Sequence, residues 1–274
     1  MSPLNEIRRL QIALPVCPKA LSQLQVLLKD PETHVQTCAD VIASDMGLAA
    51  EVVRTVNAAM FGLLRRVDHI GEALRFLGTD QVAAITLQAA LRRAFPPTDL
   101  LQLIWDQAAQ LSWVMGKAAP LLDLDPWLAH SAGLFARSGS AVFATRNDLF
   151  PAGYAALHDP YAHDPHALAT VEIAAIGVGH HAVGSALCAQ WGLSNQVVRY
   201  VQARAMPRQT WVHVDLPVRR LLVLGCMVEQ IQSTGHLVDL PADLSGLAGW
   251  PGERLQSVLE PIWAQVTRRP SSAH

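Results

Sequence analysis

The chain has 274 residues, of which 51% are hydrophobic, 16% charged and 6% aromatic, and its formal net charge is -2. High hydrophobicity with low net charge excludes a disordered chain and leaves material for a large core. A charge this close to zero offers no footprint for phosphate neutralisation, so no nucleic-acid partner is expected.

The dominant period is helical from the start. Pro18 fits a first helical turn, and Ala20, Leu21, Leu24, Leu27 and Leu28 follow on one face until Asp30-Pro31. Thr33 to Gln36 has the spacing of a capping box ahead of Cys38, Val41 and Ile42. Ser44-Asp45 reads as a cap for the stripe Leu48, Ala49, Val52, Val53, Val56. Ile70, Ala73, Leu74 and Leu77 make another stripe, stopped by Gly78, and Thr79 is placed to cap the next helix, which carries Val82, Ile85 and Ala89. Pro96-Pro97 breaks any helix and marks a boundary.

Beyond that break, Leu100 to Met115 continue at helical spacing. Asp125-Pro126 is a cap followed by a first-turn proline, opening a helix to about Arg137, and a further helix is expected over Ser140 to Thr145. Phe150 to Pro165 is rich in Pro, Gly, His and Asp and reads as a loop. Helical stripes resume over Val171–Ile176, Val183–Trp191 and Val197–Val201. Longer helices are expected from Asp215 to Ile231 and from Pro251 to Val266, with a frayed tail from Arg268. No β-alternation and no fixed repeat stands out, so the chain is expected to be all-α, with about a dozen helices. Two helical subdomains are expected, residues 1–97 and 98–274.

The four cysteines (Cys17, Cys38, Cys188, Cys226) contain no Cys-x-x-Cys pair and read as thiols in a reducing compartment. The amino terminus meets Glu6, Arg8 and Arg9 before any apolar run and is not expected to act as a signal peptide. The longest stretch without formal charge, Ile173 to Val198, carries His180, His181, Gln190 and Asn195 and makes a poor membrane span. A soluble, cytoplasmic protein is expected.

One segment says more than "helix". Ser44-Asp45, then Asn57-Ala-Ala-Met-Phe-Gly62, then Val67-Asp-His-Ile70 and Leu77-Gly78 follow in order, preceded by Leu14-Pro-Val-Cys-Pro18. This pattern resembles the HDOD family, the HD-related output domain of bacterial signalling proteins. Such a resemblance implies an amino-terminal five-helix bundle followed by a helical bundle like that of HD-superfamily metal phosphohydrolases. Asn57 itself reads as a helix-end residue whose amide satisfies free carbonyls.

An HD phosphohydrolase needs a His on one helix, a His-Asp pair on another, and later His or Asp ligands. Imidazole and carboxylate hold the metal, which lowers the pKa of its bound water. Aligned on the resemblance, Gln107 stands at the first His, Ala136-Arg137 at the His-Asp pair, and Tyr200-Val-Gln202 at a later Tyr-His-His. His180, in Gly179-His-His-Ala-Val-Gly184, stands where the family often keeps a His. Alanine offers no ligand atom, and arginine brings a permanent positive charge. Gln107, Ala136, Arg137 and His180 therefore read as a relict site with no catalytic residue, metal or cofactor. Its cavity is expected to be filled by side chains, with Arg137 salt-bridged or turned to solvent. His158, His163 and His166, with Asp159 and Asp164, could supply zinc ligands by type, but their spacing matches no zinc pattern.

The expected function is that of a non-enzymatic signalling module acting through protein contacts. The resemblance implies kinases, response regulators or cyclic-dinucleotide enzymes as partners, and neither membrane nor nucleic acid. Two alternatives stand beside it. One is a residual metal-dependent phosphohydrolase. The other is a sensor of nucleotides or cyclic dinucleotides, using Arg65, Arg66, Arg92, Arg93 and Arg137 as phosphate partners.

Overall fold

A computed structural model describes residues 3–28, 30, 32–57, 66–237 and 241–267. Among these residues there are sixteen α-helices and no strand. They are α1 (Pro3–Arg9), α2 (Lys19–Leu27), α3 (Val35–Ala43), α4 (Met46–Asn57), α5 (Ile70–Leu77), α6 (Thr79–Arg93), α7 (Asp99–Ala118), α8 (Pro126–Phe135), α9 (Ser138–Ala144), α10 (Tyr154–His158), α11 (Pro165–Ile176), α12 (His180–Gln190), α13 (Asn195–Arg204), α14 (Leu216–Thr234), α15 (Ala242–Ala248) and α16 (Gly252–Thr267). The chain is all-α. The excess over a dozen comes from helices too short to show a period, such as α1 and α10. The latter lies inside the segment 150–165 expected to be a loop. No single described helix is long and apolar enough to cross a membrane.

The chain divides into two compact units, Met1–Pro15 with Phe95–Glu260 and Val16–Ala94 with Pro261–His274. The grouping differs from a single cut at residue 97. The first residues belong with the later helices because Arg9 Nη2 donates to the Ile176 carbonyl at 3.2 Å and Trp191 Nε1 to that of Pro15 at 2.9 Å.

In the unit built on Val16–Ala94, α2 to α6 enclose Leu21, Leu24, Ile42, Leu48, Val52, Val56 and Leu87. Asp45 caps α4 as the sequence indicates, its Oδ1 accepting from the Leu48 amide at 2.9 Å. The capping box does not form. Thr33 donates back to the Leu27 carbonyl at 2.9 Å, and α3 starts one residue beyond His34 without a side-chain cap. Thr79 is the first residue of α6 rather than its cap, because Gly78 takes that place at φ 80°. Asn57 clasps a different partner from the one expected. Its Nδ2 donates to the Val67 carbonyl and its Oδ1 accepts from the Val67 amide, both at 2.8 Å. Phe61-Gly62 and Arg65 lie outside the described residues, as does the tail from Arg268.

In the unit built on Phe95–Glu260, α7 and α8 pack against each other, and α12 packs on both α9 and α13. Thr98 caps α7 after the Pro-Pro break, accepting from the Leu101 amide at 3.3 Å. Asp125 caps α8 through the Leu128 amide at 2.5 Å. The α9–α12 contact is backbone against backbone: a Cβ added at Gly139 would stand 1.8 Å from the His180 carbonyl oxygen. That approach brings the start of α12 to the α8–α9 junction, which carries Ala136 and Arg137.

Candidate functional site

Arg137 sits between α8 and α9 with its side chain only 7% exposed. Its Nη1 donates to the Ala162 carbonyl at 2.9 Å and its Nη2 to Glu229 Oε1 at 3.1 Å. Arg204, at the end of α13 and 6% exposed, donates to the same Glu229 oxygen and to the Ala136 carbonyl. Two buried guanidiniums thus share one carboxylate from α14. Burial pushes the Glu229 carboxyl up, but Arg204 and Arg137 together outweigh it and hold it below the usual carboxylate range. Burial pulls the Arg137 guanidinium down, with Glu229 opposing. A guanidinium starts so high that it stays charged.

A second buried group stands at the start of α12. Glu172 of α11 is 0% exposed. Its Oε2 accepts from the His180 amide at 2.6 Å and from His180 Nδ1 at 2.7 Å, and its Oε1 accepts from the Tyr154 hydroxyl at 2.6 Å. Burial, reinforced by Glu172, raises the Tyr154 phenol well above its ordinary value, so it remains a donor. His158 lies between the two groups. It is buried, its Nδ1 is 3.3 Å from Asp159, its Nε2 has no partner, and it feels both Arg137 and Glu172. Burial lowers its pKa.

The four positions singled out by sequence fall into three surroundings. Ala136 and Arg137 join Arg204 and Glu229. His180 joins Glu172 and Tyr154. Gln107 on α7 offers its carbonyl to Gln232 Nε2 at 3.1 Å, one turn beyond Glu229 along α14, and its own Oε1 has no partner. Arg137 is salt-bridged. The loop histidines do not all meet: His158 is buried beside Asp159, while His163 and His166 line a separate cavity, with His166 Nδ1 2.8 Å from the Ala205 carbonyl. Among the described residues no three His, Cys, Asp or Glu side chains converge as a metal site requires. At Ala136 and Arg137, the residues that the resemblance aligns with the His-Asp pair, a methyl and a guanidinium offer a divalent cation no ligand, and Glu229 beside them is already shared by two arginines. Of the arginines proposed for phosphate binding, Arg137 is buried in this cluster and Arg93 pairs with Asp45 at 3.1 Å.

Glu172, Tyr154, Arg204 and Glu229 escape sequence reasoning that looks only for ligand motifs. A weaker signal exists. Glu172 is the lone charge in Ala167–Ile176, and Glu229 the lone acid in Leu216–Thr234. A single acid inside an otherwise apolar helix is seldom buried without a partner.

Residues 14–207 match the HDOD domain family. The chain belongs to the HDOD family. A protein of Treponema pallidum (strain Nichols), itself named "Uncharacterized protein", is 25% identical over 195 residues, covering 69% of this chain; the chain spans only 37% of that relative's length. Among solved structures, one from Shewanella amazonensis SB2B named "Putative phosphohydrolase" superposes with a TM-score of 0.71 at 21% identity, covering 96% of this chain and 94% of that one. A "Putative signal transduction protein" from Marinobacter aquaeolei VT8 gives 0.72 at 23% identity, covering 98% and 59%. An "HDOD domain protein with unknown function" from Geobacter sulfurreducens gives 0.69 at 16% identity, covering 97% and 95%. At these identities the likeness shows a shared helical fold and no more.

Proposed function

We propose that this HDOD chain is a non-enzymatic regulatory module of signal transduction that works through contacts with other proteins. Its HD-type metal position is closed by Arg137. The observation that supports this reading is the buried Arg137–Glu229–Arg204 cluster, formed by a residue that the family resemblance aligns with the His-Asp pair. A catalytic metal raises a water to nucleophilic strength, and nothing at that position can hold one. Closing the site costs the module nothing if its output is a surface. The partner classes follow the family: a kinase, a response regulator or a cyclic-dinucleotide enzyme.

The test is a phosphodiesterase assay on the purified full chain with bis-p-nitrophenyl phosphate and cyclic dinucleotides, supplemented with Mg²⁺, Mn²⁺ or Fe²⁺. No turnover above buffer is expected. Metal-dependent turnover that survives a second purification would overturn the proposal. The cavity beside Arg204 supports a second reading, the sensing of a small ligand.

A further inference from the structure

A cavity of about 590 Å³ opens between the start of α11, the end of α13 with the residues after it, and α14. Its volume lies within the range of small-molecule sites. Arg204 and Glu229 form its inner wall, and Arg208, His163, His166 and Cys226 stand around it. The charge inventory of this neighbourhood does not balance. Arg137 and Arg204 are both more than nine-tenths buried, and Glu229 is the carboxylate they share. One buried positive charge is left over beside the cavity. Buried charge is ordinarily neutralised.

The other groups on the wall increase the imbalance. The Arg208 guanidinium donates to the Cys226 thiol at 3.0 Å, a weak acceptor for a charged donor, and among the described residues no carboxylate pairs with it. Asp164 also lines the cavity, and counting it with Glu229 against Arg137, Arg204 and Arg208 still leaves one positive charge over. Asp164 Oδ1 is engaged at the start of α11, accepting from the amides of His166 and Ala167 at 3.1 and 3.0 Å. With Nδ1 of His166 at the Ala205 carbonyl, its Nε2 remains for another partner.

We infer that this cavity binds a small molecule carrying an oxyanion, a phosphate or carboxylate group, with Arg208 as the principal contact and Arg204 behind it. The guanidinium fork matches both groups in shape and charge. The inference does not depend on how the module meets its protein partners.

The experiment uses the full chain with inorganic pyrophosphate, AMP and citrate as probes and adenosine as the uncharged control. Thermal melting reports binding, because a ligand of the native state must stabilise it. Alkylation of Cys226 by iodoacetamide, followed by mass spectrometry, reports the place, with Cys17 as the internal control. At least one oxyanion should raise the melting temperature and slow alkylation of Cys226 but not of Cys17, while adenosine does neither. Pyrophosphate and AMP acting without citrate would assign a phosphate ligand; citrate acting without them would assign a carboxylate. Arg208→Gln should weaken the effective probe about tenfold or more, and exposed Arg208 leaves the unliganded melting temperature unmoved. The inference fails if no oxyanion shifts melting, if Cys226 is not protected, or if the shift is unchanged in Arg208→Gln.

Discussion

The Arg137–Glu229–Arg204 cluster makes an asymmetric prediction. Glu229 is the shared counter-charge of two side chains that are 7% and 6% exposed. Glu229→Gln keeps the shape and removes the charge, leaving two buried guanidiniums facing each other. Removing one partner of a buried ion pair costs about 3–5 kcal/mol, and here two cations lose their partner at once. Arg137→Met removes one cation and leaves Arg204–Glu229 as a neutral pair. Its cost is the hydrogen bonds to Ala162 and Glu229, offset in part by relief of the repulsion from Arg204 and by methionine packing, about 1–2 kcal/mol net. Glu229→Gln should therefore cost at least about 2 kcal/mol more than Arg137→Met. In the double variant the costs should not add, because Arg137 is no longer there to be stranded. Urea unfolding at neutral pH, with slopes checked for equality, measures all three. The cluster's sign with pH also follows. The Glu229 carboxyl is depressed in the folded state, so its stabilisation is present above the unfolded value of 4.5 and is lost as pH falls through the folded one. If Arg137→Met destabilises as much as Glu229→Gln, the shared-carboxylate account is wrong.

Other outcomes follow from the same structure. His130 is 3% exposed, and burial, with Lys117 adding to it, lowers its pKa to about 4. The unfolded imidazole binds a proton first, so stability should fall by about 3 kcal/mol as pH drops from about 6.5 to about 4. His130→Gln should flatten that part of the stability–pH curve; an unchanged slope would show that His130 is not its source. Gly139→Ala forces a Cβ to 1.8 Å from the His180 carbonyl, a backbone atom that cannot yield without separating α9 from α12. It should cost more than about 3 kcal/mol, whereas Gly246→Ala in α15, with nothing within 4 Å, should stabilise by up to about 1 kcal/mol. Equal melting temperatures would contradict the close packing. Asn57→Ala strands both backbone groups of buried Val67 and should lower stability by about 2–3 kcal/mol in thermal or urea unfolding. A change within error would mean that the clasp is not formed.

Much of the fold was legible because it is written in local rules. The stripe Leu48, Val52, Val56 is a buried face, the caps at Asp45 and Asp125 form, and Pro96-Pro97 separates α6 from α7. Local rules failed where a tertiary partner competed. Thr33 turned back to Leu27 instead of boxing with Gln36, and Asn57 reached across to Val67 instead of its own helix end. The candidate site was half legible. The resemblance drew attention to Ala136, Arg137 and His180, but Glu229 and Arg204 approach Arg137 from far along the chain. Glu172 reaches His180 only because α11 and α12 turn against each other. Such pairings depend on how helices meet, and no spacing in the sequence encodes them.

The central claim is that the HD-type position holds a guanidinium in place of a metal. Metal content of the full chain, purified without chelator or affinity metal from metal-replete medium and measured by plasma mass spectrometry, tests it most directly. The account predicts transition metals well below one per chain, both in the native protein and in Arg137→Met. One or more ions per chain, retained through gel filtration, would contradict it.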